Sequence, residues 1–178
     1  MTYSETASRI LDSAERMARQ GGYNSFSFRE IATEIGIKSA SVHYHFANKE
    51  VLGAALAERY TNRFLDGLGE PTAEGADEML RRYAASYRQA LIEDGQMCLC
   101  GMFGAEISDL PDPVARQTRA FFVRNIQWLG QVFQAKGLEP VEAETEAARM
   151  IAALEGAMIL SRSLQDDTLF DRITAGYS

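Results

Sequence analysis

The sequence predicts an all-α chain in two parts, an N-terminal three-helix head containing a helix-turn-helix and a longer C-terminal helical body. Three observations lead there. Apolar residues recur at helical spacing almost throughout, and no stretch alternates with period two between hairpin turns. The four prolines all fall between Pro71 and Pro140, where they stand at breaks between helices. Charge also divides the chain: residues 1–50 hold six basic and six acidic residues, so the rest carries the whole formal charge of −7. The expected division is 1–47 for the head and 48–178 for the body.

The first helix is expected over about 3–20, with Thr2 and Glu5 at capping-box spacing, Ile10, Ala14, Met17 and Ala18 as its buried stripe, and Gly21-Gly22 as its stop. Ser27 and Glu30 form a sharper capping box before Ile31, Ala32 and Ile35, and Gly36 ends that second helix after barely two turns. A third short helix follows over about 39–46. Asn48 is placed to cap a fourth, which carries Leu52, Leu56, Tyr60, Phe64 and Leu68 at four-residue spacing. A fifth is expected over about 73–93 and an almost wholly apolar sixth over about 97–108. Pro111 and Pro113 open a long seventh helix to Lys136-Gly137, and Pro140 opens an eighth to about residue 164. Asp166 or Asp167 caps a short last helix with Leu169, Phe170 and Ile173.

The functional signal lies in residues 27–46. Two short helices joined by a tight turn cross steeply and leave the second free to enter a DNA major groove. Gly36 supplies the left-handed cap cheaply. With Ile31, Ile35, Ile37, Val42 and Phe46 packed inward, the outward positions are Lys38, Ser39, Ala40, Ser41, His43, Tyr44 and His45. His43 and His45 are the only histidines. Residues two apart on a helix point in different directions, so no metal site is expected from them.

Gly22-Tyr23-Asn24-Ser25-Phe26-Ser27-Phe28-Arg29-Glu30-Ile31-Ala32, then Ile35 to Phe46, then Asn48-Lys49-Glu50-Val51-Leu52 resemble the helix-turn-helix of the tetracycline-repressor (TetR) family. The resemblance covers roughly the first 65 residues. Ala40, where many members have Gly, and His43, where many have Leu or Tyr, depart from it. It implies that Lys38, Ala40, Ser41 and His43 face base edges, and that Tyr44 and His45 bond to phosphates. Ser27 and Arg29 would touch the DNA backbone, and Lys49 with the start of the fourth helix would hold another phosphate. It also implies a body with two tasks, an effector pocket and a dimer interface.

For the pocket, Met79, Tyr83, Tyr87, Met102, Phe103 and Phe122 are candidates, because methionines and aromatic rings line adaptable apolar cavities. Glu106 stands in an apolar stretch, where it would read a cationic or polar effector or pair with an arginine such as Arg88. For the dimer, the two longest helices are apolar on most sides, and Trp128, Met150, Leu154, Ala157 and Met158 are expected at the interface. Cys98 and Cys100, two apart, would not readily bridge within one chain, and small buried thiols are the expectation.

The expected function is a ligand-responsive transcriptional regulator, a repressor, binding a palindromic operator as a homodimer and needing no cofactor. The alternatives are an effector-independent regulator or activator, or a thiol-based sensor of electrophiles or redox state through Cys98 and Cys100. No catalytic constellation stands out, so an enzyme is not expected. No apolar run approaches the roughly 20 residues of a membrane span, and no signal pattern is seen, so a cytoplasmic protein is expected.

Overall fold

Local chemistry places the ends of the helices. The computed structural model describes residues 3–71 and 75–177. Among them it has α1 (Glu5–Gly21), α2 (Phe28–Ile35), α3 (Ser39–His45), α4 (Lys49–Leu68), α5 (Ala76–Arg88), α6 (Leu99–Ala105), α7 (Asp112–Ala135), α8 (Pro140–Leu164) and α9 (Thr168–Thr174). No strand occurs among the described residues.

Ser4 caps α1, its hydroxyl accepting the Ala7 N–H at 3.3 Å. Thr2, the cap expected from spacing, lies outside the described residues, as does the expected start of the fifth helix at 73. The α-geometry of α5 ends at Arg88, and the chain continues as a π-helical turn over Gln89–Glu93, closed by Asp94 N–H to Gln89 C=O at 3.1 Å. The sixth helix is shorter than expected. After Ala105 the backbone tightens into three-residue turns, with Glu106 N–H to Phe103 C=O at 3.1 Å and Asp109 N–H to Glu106 C=O at 2.9 Å.

The chain forms two interleaved units, Met1–Asn62 with Leu99–Phe121, and Arg63–Cys98 with Phe122–Ser178. This differs from the sequential division at 47, because α6 and the start of α7 belong with the head and because α4 and α7 run through both units. The first unit buries Ile10, Leu11, Phe26, Ile31, Val42, Leu52, Leu56, Phe103 and Phe121. Arg59 of α4 is tied to α1 through Asp12 at 2.8 Å and Glu15 at 3.2 Å. The second unit buries Tyr83, Leu129, Val132, Ala147, Met150, Leu154, Met158 and Phe170. Two of its buried polar pairs are matched: the Tyr83 hydroxyl donates to Asn125 Oδ1 at 2.8 Å, and Trp128 Nε1 donates to the Gly69 carbonyl at 2.7 Å.

Candidate nucleic-acid interface

The Ser27 hydroxyl accepts the Glu30 N–H at 3.2 Å and starts α2. Gly36 ends it at φ 72°, ψ 36°, a left-handed conformation that side chains rarely adopt. Ile37 N–H then reaches back to Ala32 C=O at 2.9 Å, which closes a Schellman turn and points the chain into α3. Arg9 of α1 donates to the carbonyl of Ile35 at 2.7 Å, adding a cationic partner at the same helix end. Val42 and Phe46 are buried beneath α3, as their spacing predicts.

What remains outside is the probe. Lys38, Ser39, Ala40, His43 and Tyr44 are exposed, Tyr44 at 86 %, while Ser41 and His45 are half-buried. Tyr44 and His45 rings meet edge to face at 5.2 Å. The His43 and Phe28 rings meet in a T-shaped pair with centroids 4.6 Å apart. Phe28 was not among the residues singled out from sequence, although its place just after the Ser27 cap puts it opposite α3.

The cations of the head sort themselves. Arg9 caps α2, Arg16 pairs with Glu34, and Arg19 lies near Glu15 at 3.7 Å and over the Tyr60 ring. Arg29 and Lys38 are exposed and have no ion pair among the described residues, so their charge is available to an anionic ligand.

Lys49 is differently placed. Its ammonium sits over the rings of Tyr23 and Phe26, 4.6 and 4.7 Å from their centroids. Burial lowers its pKa, against the attraction of Glu30 and Glu106. Tyr23 itself is buried, and desolvation, with Glu50 second, pushes its hydroxyl up to about 12. Glu106 does not meet Arg88: its Oε2 accepts the Tyr23 N–H at 2.8 Å, while Arg88 pairs with Asp171 at 2.8 Å. The arginine pairing expected from sequence is therefore corrected. A backbone donor beyond the end of α1 takes the carboxylate instead, and Asp171 takes the arginine.

Residues 10–56 match the bacterial regulatory proteins of the tetR family, and residues 72–175 match the C-terminal domain of LmrA/YxaF-like transcriptional regulators. The chain belongs to the TetR family. A TetR transcriptional regulator from Legionella pneumophila is 33% identical, with 99% of this chain and 97% of that chain covered and a TM-score of 0.90. A TetR-family regulator from Agrobacterium tumefaciens is 30% identical over 96% of this chain and 94% of that one, with a TM-score of 0.85. The regulator LmrA of Bacillus subtilis is 23% identical over 94% of this chain and 92% of its own length. The repressor DhaR of Mycobacterium sp. (strain GP1) is 24% identical over 72% of this chain, which spans 64% of DhaR. TetR-family proteins are DNA-binding transcriptional regulators, not enzymes, and the head just described is their helix-turn-helix. No helix among the described residues is long and apolar enough to cross a membrane.

The TetR-type body divides the effector candidates. Met102, Phe103 and Glu106 fall in the first unit; Met79, Tyr83, Tyr87 and Phe122 fall in the second. Phe103 and Tyr83 are wholly buried, and Met79 and Tyr87 nearly so. In the second unit Tyr83 stacks on Tyr87 at 5.7 Å and on Trp128 at 5.9 Å, with Phe64 edge-on to both tyrosines. Beside them the Tyr87 hydroxyl donates to Glu155 at 3.2 Å. Glu155 was missed, although it is the lone carboxylate between Met150 and Leu160, the same signal that drew attention to Glu106. Burial raises its pKa, and hydrogen bonds from Cys98 and Tyr87 oppose the rise. Cys98 and Cys100 are buried, and the Cys98 thiol hydrogen-bonds to Glu155.

The dimer candidates lie on α7 and α8. Trp128, Met150, Leu154, Ala157 and Met158 are all buried within the single chain, so they form inward faces of α7 and α8. The outward apolar side chains of α8 are Val141, Ile159, Leu160 and Leu164, the last 65 % exposed. The helix is apolar on two sides. Periodicity does not say which side its own chain covers.

Proposed function

We propose that the chain is a ligand-responsive repressor that binds a palindromic operator as a homodimer. One observation carries the reading: α3 offers an unobstructed polar row from Lys38 to Tyr44, held from beneath by Val42 and Phe46 and flanked by the unpaired cations Arg29 and Lys38. In this reading Lys38, Ala40, Ser41 and His43 meet base edges. Ser27, Arg29, Ser39, Tyr44, His45 and the first turn of α4 at Lys49 meet the DNA backbone.

Two heads joined through a symmetric body read half-sites about 34–36 Å apart. The outward apolar residues of α8 support a partner there. Effector response is assigned to the helical body. Its support is the aromatic cluster of Tyr83, Tyr87 and Trp128 beside Glu155, a largely buried carboxylate with no cationic partner among the described residues. A bound effector favours a state in which the heads are wrongly spaced, and α4, continuous from head to body, transmits the change.

Selection of bound sequences from random duplex DNA tests the reading. Recovery of an inverted repeat with half-site centres about 10 base pairs apart, or a multiple, is expected. Recovery of no enriched sequence, or of an unrepeated single site, would overturn it.

A further inference from the structure

The first unit contains a long-range contact that the DNA-reading surface does not itself use. We propose that Glu106 is a positioning residue for the head: from the turn after α6, its carboxylate fixes the joint at Tyr23 from which α2 and α4 set out. The inference rests on the DNA-binding reading above and goes beyond it, since Glu106 touches no DNA in that reading.

The joint is built from both sides. α1 closes with Gly22 N–H on Ala18 C=O at 2.8 Å, which leaves the next amide, Tyr23 N–H, beyond the helix end. Glu106, 83 residues later, accepts it at 2.8 Å. The backbone of Gly22 is shaped for this. At φ 79° it excludes ordinary side chains, and a Cβ placed there would stand 2.1 Å from Glu106 Oε1. Phe103, three residues before Glu106, holds the Tyr23 ring edge to face at 5.9 Å. From the other side α4 approaches the same ring, through the Lys49 ammonium at 4.6 Å and through Gly53, where a Cβ would lie 2.9 Å from the ring. Tyr23 is thus gripped at its amide by Glu106, and at its ring by α6 and α4.

Ser27 and α2 begin a few residues downstream, and α3 is packed on α2. Freeing the Tyr23 amide lets this segment sample arrangements relative to α4 that do not fit the groove. Observed affinity then falls in proportion to the fraction of heads correctly arranged. No phosphate contact is lost, so the salt dependence of binding stays the same.

The test uses the full-length protein and the duplex that the wild-type chain selects. Binding of wild type, Glu106→Ala and Glu106→Gln is measured over a salt series, alongside thermal melts and hydrogen exchange at the Tyr23 amide. Glu106→Ala is expected to weaken binding about tenfold. Its salt slope and its selected sequence should match the wild type, and its Tyr23 amide should exchange faster. Glu106→Gln should recover most of the affinity, because its amide oxygen accepts the same N–H. Folded Glu106→Ala with wild-type affinity would overturn the proposal, leaving Glu106 a stability contact only. So would Glu106→Gln as weak as Glu106→Ala. Should the alanine variant not fold, the wild-type and glutamine proteins decide: a Tyr23 amide exchanging as fast as an exposed one in both would equally end the idea. The exchange measurement needs no DNA, so a failure of the DNA-binding reading is distinguishable from a failure of this contact.

Discussion

His43, at the exposed face of α3, forms a T-shaped pair with Phe28 at the start of α2, with ring centroids 4.6 Å apart. The contact restricts the imidazole before any base is met. Phe28→Ala should therefore broaden the base preference at the position that His43 is proposed to read, with a smaller effect on affinity for a fixed phosphate framework. Sequencing of duplexes selected by wild type and variant gives the answer. An identical preference in both would show that the ring contact does not aim His43.

Arg29 has no ion pair among the described residues and is assigned to the DNA backbone, so Arg29→Ala should act through the ionic part of binding, whereas Lys38→Ala, at a base edge, should shift sequence preference. Each phosphate contact removed should lower the slope of log affinity against log salt by about 1. Lys49→Ala should differ, because its ammonium packs on Tyr23 and Phe26: it should lower the melting temperature as well as the affinity. Binding isotherms from low to high salt, with melts on the same samples, separate the two behaviours. A loss of affinity at Lys49 with no change in melting would refute the packing role.

The two apolar sides of α8 should respond oppositely to charge. Leu160→Glu, on the outward side, should leave a folded chain that sediments as a monomer and binds operator weakly. Leu154→Glu, wholly buried, should prevent folding, since an unpaired buried carboxylate is costly. Analytical ultracentrifugation and circular dichroism read the two results. A folded, dimeric Leu160→Glu protein would place the interface elsewhere.

Glu155 has its carboxyl raised by burial above the ordinary glutamate value of 4.5. The folded protein thus holds this proton more tightly than the unfolded chain does. Its stabilising contribution is present in acid and is lost as pH rises from the ordinary value through the raised one. Above that window the charged form opposes folding. Glu155→Gln keeps an acceptor for the Tyr87 hydroxyl and removes the titration. It should raise the melting temperature at neutral pH, by about 2–4 °C for each kcal/mol relieved, and flatten its decline with pH. Melts from acid to neutral pH decide, and parallel curves for wild type and variant would contradict the assignment.

The helix-turn-helix was legible in residues 27–46 because its determinants are local. The Ser27 cap, the left-handed Gly36 and the spacing of Ile31, Val42 and Phe46 act within a few residues of one another, and each performs the predicted task. The helical order of the chain was legible for the same reason. What the tertiary structure alone decided is which partner each ambiguous group meets. Glu106 and Glu155 give the same signal, a lone carboxylate in an apolar run, yet one grips an amide 83 residues away and the other lies beside Tyr87 and Cys98. The apolar faces of α7 and α8 pose the same problem: Trp128, Met150 and Leu154 turned inward, and Leu160 and Leu164 turned out. Periodicity reports that a surface must be covered. Only the packing of elements distant in the chain determines what covers it.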